Sequence, residues 1–131
     1  MKIAADTNLL IRAVVEDDPK QARIAQAELQ NAEVVAIGIS ALCELSWVLT
    51  QRYHLPSASV AHAIRAIVAS ANVNVNRSAV DAGLAILEVG GDFADGVIAF
   101  EGRELGAETF VSFDKQAVKL LKALGEDVRQ L

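Results

Sequence analysis

The sequence predicts an α/β fold in which a parallel β-sheet is covered on both faces by helices. Short apolar segments rich in β-branched residues alternate along the chain with longer segments of helical periodicity. Such alternation favours a parallel sheet, because each helix carries the chain back to the same end of the sheet. With 131 residues, of which 53% are hydrophobic, the chain can bury one substantial core. We therefore predict a single domain over residues 1–131.

The first half of the chain contains two apolar segments that predict strands, at residues 2–5 and 34–39. The second of these is a run of six apolar residues and is expected to be buried on both faces. A helix with an apolar face is predicted at residues 8–15. Pro19 then lies in the first turn of a helix that continues to about Asn31. Ser40 is expected to cap a helix that runs to about Tyr53.

The second half repeats this alternation. Pro56 is expected to open a helix that continues to residue 70, and valines alternating with asparagines at residues 73–75 predict a weak strand. Gly90 and Gly91 separate two helices, at residues 78–89 and 93–105. A strand is predicted at 109–112, a helix at 115–124, which ends before Gly125, and an edge strand at 127–130. No linker or internal repeat interrupts the series.

Composition excludes several classes of protein. The formal net charge of −5 is opposite to that of a simple polyanion-binding module, so contact with RNA or DNA would require bound cations or local basic patches. The single cysteine, Cys43, excludes an internal disulfide and is expected to be a small core residue. No apolar run approaches the ~18 residues of a membrane span, and Asp6 interrupts the N-terminal apolar segment. A cytoplasmic protein is therefore expected.

Four carboxylates form the candidate site: Asp6, Glu44, Asp95 and Asp114. Asp6 follows the first strand and Asp114 follows the strand at 109–112, so both are expected at the edge where parallel strands end. Glu44 and Asp95 lie near the starts of helices that open toward the same edge. Acids gathered there repel one another unless cations bind. Their hard oxygen atoms suit Mg²⁺ or Mn²⁺ better than Zn²⁺.

Each acid also has a structural interpretation. Asp6 and Asp114 are well placed as helix N-caps. Asp95 is favourably placed in the first turn of a helix capped by Asp92, an interaction of ~0.5 kcal/mol. Glu44 has no basic residue three or four positions away, and a carboxylate among large apolar neighbours favours a functional interpretation. Asp92 itself is open to both interpretations, because it either only caps the helix or also faces the site.

Three further residues near these acids are ambiguous. Arg12 either serves the site or only pairs with Glu16, four residues later. Lys115 begins a stripe of lysines that is either solvated or contacts a phosphate backbone. Gly96 weakens its helix by about 1 kcal/mol, which is easier to explain if another group must approach closely.

Taken together, these segments resemble PIN-domain nucleases. The resemblance rests on DTNLLIR at residues 6–12, the helical Glu44, DFADGVIA at residues 92–99 and SFD at residues 112–114, in the order and spacing of that family. The turn at Asp17, Asp18 and Pro19 resembles the VapC-type toxins of prokaryotic toxin–antitoxin pairs. The resemblance extends over essentially the whole chain. Gly96 departs from the pattern, because the family more often carries a side chain there.

The resemblance implies a three-layer α/β/α sandwich with a parallel sheet of about five strands, usually dimeric. It also implies an Mg²⁺-dependent endoribonuclease that prefers single-stranded RNA. Carried over by motif position, the acidic quartet that binds metal and catalyses is Asp6, Glu44, Asp95 and Asp114. The residues that would orient these acids or a metal-bound water are Thr7, Asn8 and Ser112.

The implied chemistry needs no side-chain nucleophile, because a bound metal lowers the pKa of a coordinated water that attacks the phosphate. Three alternatives remain. A housekeeping RNA-processing nuclease could share every residue discussed, and a PIN-like binding module could be catalytically silent. A phosphatase with an aspartyl nucleophile is the third, but that class of phosphatase needs a second acid two residues after the first, where Asn8 stands.

A toxin would also require a tight inhibitor. The first two helices and residues 56–70 carry more apolar side chains than one small core needs. We expect this surface to be covered by a second copy of the chain and by an amphipathic segment of a small antitoxin encoded adjacently. An acidic site favours a partner that inserts Arg or Lys among the carboxylates.

Overall fold

The computed structural model describes all 131 residues, as five strands and seven helices in two compact units, Met1–Asn76 and Arg77–Leu131. The first unit holds β1 (Lys2–Ala4), α1 (Thr7–Val15), α2 (Pro19–Asn31), β2 (Val34–Ala36), α3 (Ile39–Gln51), α4 (Ser57–Val68) and β3 (Val73–Asn74). The second unit holds α5 (Arg77–Glu88), α6 (Phe93–Glu104), β4 (Phe110–Ser112), α7 (Lys115–Ala123) and β5 (Val128–Gln130).

The first unit is built on a three-stranded parallel sheet in the order β1-β2-β3. Its register pairs Ile3 with Val35, and Val35 with Val73. Val35 therefore occupies the middle of the sheet, where it is fully buried. The helices contribute the rest of the core of this unit through fully buried side chains, which are Leu10, Leu42, Leu45, Leu49, Val60 and Ile64.

The second unit pairs β4 with β5 in parallel, with Phe110 opposite Val128. A core of Ile86, Ala99 and Leu121 joins α5, α6 and α7, and both strands pack against it. Because parallel strands need a crossover connection, α7 supplies the return path between β4 and β5.

Glycine permits the close contact between α5 and α6. A Cβ added at Gly96 would lie 2.3 Å from the carbonyl oxygen of Ala82, and one added at Gly83 would lie 2.5 Å from the ring of Phe93. Phe93 is fully buried and fills the space that Gly83 leaves. The close approach expected at Gly96 is therefore made by the backbone of a neighbouring helix.

The α/β class and the parallel pairing of the strands are confirmed. The strand predicted at residues 34–39 is shorter, because β2 ends at Ala36 and α3 already begins at Ile39. The predicted cap at Ser40 is wrong: Gly38 is the N-cap, and its carbonyl accepts a hydrogen bond from the backbone N–H of Ala41 at 3.0 Å. Burial of β2 on both faces is also only partial, since Ala36 is exposed.

The remaining boundaries agree with the predicted elements to within about two residues. None of the seven helices combines the length and the hydrophobicity that a membrane-spanning helix needs. The single domain predicted over residues 1–131 stays a prediction.

Candidate active site

The first unit brings Asp6, Thr7 and Glu44 together. Asp6 is the N-cap of α1, where its Oδ1 accepts a hydrogen bond from the backbone N–H of Leu9 at 2.9 Å. Glu44 lies in the second turn of α3, and its Oε2 accepts a hydrogen bond from the Thr7 hydroxyl at 3.2 Å. Each carboxylate thus has one oxygen engaged within the protein, while its second oxygen makes no hydrogen bond there.

Asp6 and Glu44 line a cleft of about 500 Å³ between α1 and α3. Asn8 also lines it, so the two predicted supporting residues of α1 lie beside these acids. Four further side chains line the cleft that sequence reasoning did not assign to a site: Ile11, Trp47, Val48 and Arg52. One signal was available for Trp47, because it follows Glu44 by three residues and so lies on the same face of the helix.

The second unit brings Asp92, Asp95 and Asp114 into electrostatic contact. Burial, together with the negative charges of Asp92 and Asp114, raises the pKa of Asp95 from 3.8 to about 6. Asp95 lies in the first turn of α6, where ionised carboxylates are normally favoured by the helix dipole. Desolvation, and then repulsion from Asp92 and Asp114, therefore favours the protonated form of Asp95.

Asp92 and Asp114 are both helix N-caps as well as neighbours of Asp95. Asp92 accepts a hydrogen bond from the backbone N–H of Ala94 at 3.0 Å. Asp114 Oδ1 accepts hydrogen bonds from the N–H groups of Gln116 and Ala117, both at 3.0 Å, and leaves Oδ2 available. Asp92 and Asp114 therefore both cap helices and act electrostatically on Asp95.

Ser112 orients the loop that carries Asp114. Its hydroxyl oxygen accepts a hydrogen bond from the backbone N–H of Asp114 at 2.9 Å. This contact fixes the backbone immediately before α7, so Ser112 acts on Asp114 through the backbone.

The pairing suggested for Arg12 is wrong. Arg12 lies 3.5 Å from Oδ1 of Asp17, whereas Glu16 accepts a hydrogen bond from the side-chain amide of Gln26 at 2.7 Å. Glu16 adopts a left-handed conformation at φ 57° as it ends α1, which takes it off the helical repeat. Lys115 is the first residue of α7 and is exposed.

The acids are thus gathered within each unit, Asp6 with Glu44 in the first and Asp95 with Asp114 in the second. No three His, Cys, Asp or Glu side chains lie close enough together to hold a metal ion. That all four acids share one site stays a prediction. The donor chemistry, which consists of carboxylate oxygens supported by hydroxyl and amide groups, fits a hard divalent cation.

Comparison of the sequence with models of known protein families shows which family the chain belongs to. The PIN domain family matches residues 3–122, which include every acid of the candidate site. The chain belongs to the PIN domain family. PIN domains are generally nucleases, and PIN-domain nucleases typically use divalent metals. No curated protein matches this PIN domain.

We expect Asp95→Asn to raise the thermal stability of the PIN domain in EDTA above pH 6. The pKa of Asp95 is raised from 3.8 to about 6, so the folded state favours the protonated carboxyl. The free energy of unfolding that this protonated form contributes is fully present below about pH 4 and is lost as the pH rises through 6. Partial exposure and the lost interaction with the helix dipole limit the gain to at most about 1 kcal/mol.

Melting curves followed by far-UV circular dichroism between pH 4 and pH 8 measure this effect. The wild type should lose stability across that interval more steeply than Asp95→Asn, and Mg²⁺ should raise the melting temperature of the wild type by binding the folded state. Equal pH slopes for the two proteins, with no shift on adding Mg²⁺, would contradict the electrostatic interpretation of Asp95.

Proposed function

We propose that this PIN domain is an Mg²⁺-dependent endoribonuclease that cleaves single-stranded RNA. The observation that carries the proposal is the group of Asp92, Asp95 and Asp114, in which burial, and then the negative charges of Asp92 and Asp114, raise the pKa of Asp95 to about 6. A divalent cation relieves such repulsion. All three residues belong to the two motifs of the second unit that resemble PIN-domain nucleases.

In this proposal Asp6, Glu44, Asp95 and Asp114 hold the cation. Thr7 orients Glu44 by donating to its Oε2, which directs the other oxygen toward a ligand. Ser112 fixes the backbone at Asp114, whose Oδ1 is occupied by the start of α7 and whose Oδ2 remains for a ligand. These contacts hold the acids in place before a cation binds, which lowers the reorganisation required on binding.

Mg²⁺ held by these residues would supply positive charge that lowers the pKa of a water molecule and stabilises negative charge on the phosphate. The carboxylates would hold the cation at the site and would accept hydrogen bonds from the attacking water. The products would be a 5′-phosphate and a 3′-hydroxyl. Cleavage of single-stranded RNA in Mg²⁺ and its absence in EDTA test the proposal, and RNA binding without cleavage would instead support a catalytically silent binding module.

We further propose that the nuclease is the toxin of a toxin–antitoxin pair, is cytoplasmic and forms a homodimer. The proposal of a partner is supported by a cleft of about 550 Å³ between α1 and α2, which could receive an apolar segment of that partner. Ile24, 56% exposed, lies in this cleft with Leu9 and Ala25, and Asn8 and Arg12 supply polar groups. An amphipathic segment that seats apolar side chains beside Ile24 would cover this surface.

We expect a small protein encoded next to this chain to co-purify with it and to suppress RNA cleavage. Insertion of Arg or Lys among the carboxylates would displace the cation, so excess Mg²⁺ should partly restore cleavage. Titration of the inhibitor against cleavage at increasing Mg²⁺ measures the competition, and Ile24→Glu should weaken inhibition without slowing cleavage. A monomeric chain that is harmless when expressed alone in active form would indicate a housekeeping nuclease.

A further inference from the structure

Trp47 is a large apolar side chain that the protein leaves half exposed. It lies on α3 one turn after Glu44, and 52% of its surface is accessible to solvent. Its indole N–H makes no hydrogen bond within the protein. Trp47 lines the cleft between α1 and α3 together with Asp6 and Glu44. An exposed aromatic ring therefore lies in the same cleft as two of the proposed catalytic acids.

Arg52 lines the same cleft from the C-terminal end of α3. Its backbone is fixed, because its N–H donates to the carbonyl of Val48 at 2.9 Å. Its exposed guanidinium forms no salt bridge with any carboxylate of the protein. An unpaired guanidinium on a chain of net charge −5 is available to bind an anion.

These two side chains offer complementary contacts for a nucleotide. An aromatic ring stacks on a nucleobase irrespective of the sign of the protein's charge, and stacking tolerates any base. A guanidinium binds a phosphate through charge-assisted hydrogen bonds. An acidic protein gains little from long-range attraction to RNA, so such local contacts are the means by which it can hold a strand.

We propose that Trp47 and Arg52 form a nucleotide-binding subsite, in which a base of single-stranded RNA stacks on Trp47 and a phosphate pairs with Arg52. This proposal rests on the proposed ribonuclease function and names the contacts that hold its substrate beside Glu44. Neither residue contributes a metal-binding group. Both position the strand, and a preference for unpaired RNA follows because a base in a duplex is not free to stack on a side chain.

The chemistry of the cleft favours a nucleotide over an apolar protein segment. Asp6, Thr7, Asn8 and Glu44 contribute carboxylate, hydroxyl and amide groups to the lining of the cleft, beside the apolar side chains of Ile11 and Val48. An apolar segment would leave the second carboxylate oxygens of Asp6 and Glu44 without partners, which is unfavourable when they lose water. A ribose and a phosphate with its cations can satisfy them.

The intrinsic fluorescence of the protein tests stacking directly, because Trp47 is its single tryptophan. We expect single-stranded RNA to quench this fluorescence in Asp95→Asn, a variant chosen so that the RNA stays intact. An oligonucleotide of the same length that lacks its bases should quench far less, since it retains phosphates but cannot stack. Equal quenching by both, or none with either, would overturn the proposal.

Kinetics supply the second test. Trp47→Leu should raise the KM for single-stranded RNA about 5- to 100-fold with little change in kcat, and Trp47→Phe should restore much of the loss because it keeps a ring. Thr50→Ala, an exposed substitution on the same helix outside the cleft, is the matched control and should leave both constants unchanged. A Trp47→Leu enzyme with a wild-type KM would contradict stacking.

Salt dependence tests Arg52. Arg52→Gln should reduce the slope of log affinity against log salt concentration by about 0.7, the value for one phosphate contact on a single strand. Arg23→Gln, which changes the net charge equally on α2, should leave the slope unchanged. Equal slopes for all three proteins would remove Arg52 from the subsite.

Two results separate this subsite from neighbouring hypotheses. If the wild type never cleaves RNA yet its fluorescence is quenched by the oligonucleotide and not by the abasic one, the nuclease function fails and the subsite stands. If cleavage is intact but Trp47 fluorescence changes only with protein concentration, the ring is covered by a second copy of the chain and the subsite is wrong.

Discussion

Replacing Asp6 or Asp95 with asparagine is expected to abolish Mg²⁺-dependent cleavage of single-stranded RNA and to leave the fold intact. Each substitution removes one negative charge from the proposed cation site while keeping the shape of the side chain. Loss of a carboxylate that holds the cation should lower kcat by at least about 100-fold, because the reaction depends on the charge of that cation. Asparagine is also a good N-cap, so the new amide oxygen in Asp6→Asn would still accept the hydrogen bond from Leu9.

Initial rates over a titration of Mg²⁺ measure the effect, with circular dichroism to verify folding. Asp18→Asn is the matched control, because Asp18 caps α2 by the same kind of contact, accepting from the N–H of Gln21 at 3.1 Å. That variant should cleave RNA at the wild-type rate. A near-wild-type rate for Asp6→Asn or Asp95→Asn would remove that residue from the catalytic site.

Gly96→Ala is expected to destabilise the protein by about 1–3 kcal/mol, the usual cost of inserting a methyl group into packed structure. Helix propensity alone predicts the opposite sign, a gain of about 1 kcal/mol. Sterics should win because the new Cβ would lie 2.3 Å from the backbone oxygen of Ala82, which cannot move aside as a flexible side chain could. Separation of α5 from α6 would also displace Asp95, so cleavage should fall with stability.

Gly102→Ala provides the comparison within the same helix. A Cβ at Gly102 would meet only Ala107, at an ordinary 3.8 Å, so helix propensity should dominate there and stability should rise by about 0.5–1 kcal/mol. Urea denaturation followed by far-UV circular dichroism measures both variants. A Gly96→Ala protein as stable as the wild type would mean that α5 and α6 can separate without cost.

Much of the fold was predictable because its element boundaries carry local chemical signals. Asp18 and Pro19 start α2, Asp92 caps α6, and Gly125, at φ 93°, follows α7. The error at residues 34–39 arose because the one local signal, Gly38, stands alone between apolar residues and has no side chain that could cap a helix. The apolar residues on both sides of Gly38 look alike, and only the hydrogen bonds of the folded chain show that the strand ends and α3 begins.

The sequence allowed individual residues of the candidate site to be proposed, but it did not reveal how their side chains are arranged in space. Spacing predicted four site acids, and the structure places Asp6 with Glu44 and Asp95 with its two aspartate neighbours. The hydrogen bond from Thr7 to Glu44 joins residues 37 positions apart, which no local pattern reveals. The role of Gly96 was likewise hidden, because a glycine that admits a neighbouring helix and one that admits a ligand look the same in sequence.

The distribution of aromatic residues gives the two compact units different optical properties. Trp47 and Tyr53, the single tryptophan and the single tyrosine, belong to Met1–Asn76, whereas all four phenylalanines belong to Arg77–Leu131. Absorbance and emission near the tryptophan and tyrosine bands thus originate in the first unit alone. Comparing these bands with the far-UV signal during unfolding would show whether the chain melts as one cooperative body or in two steps.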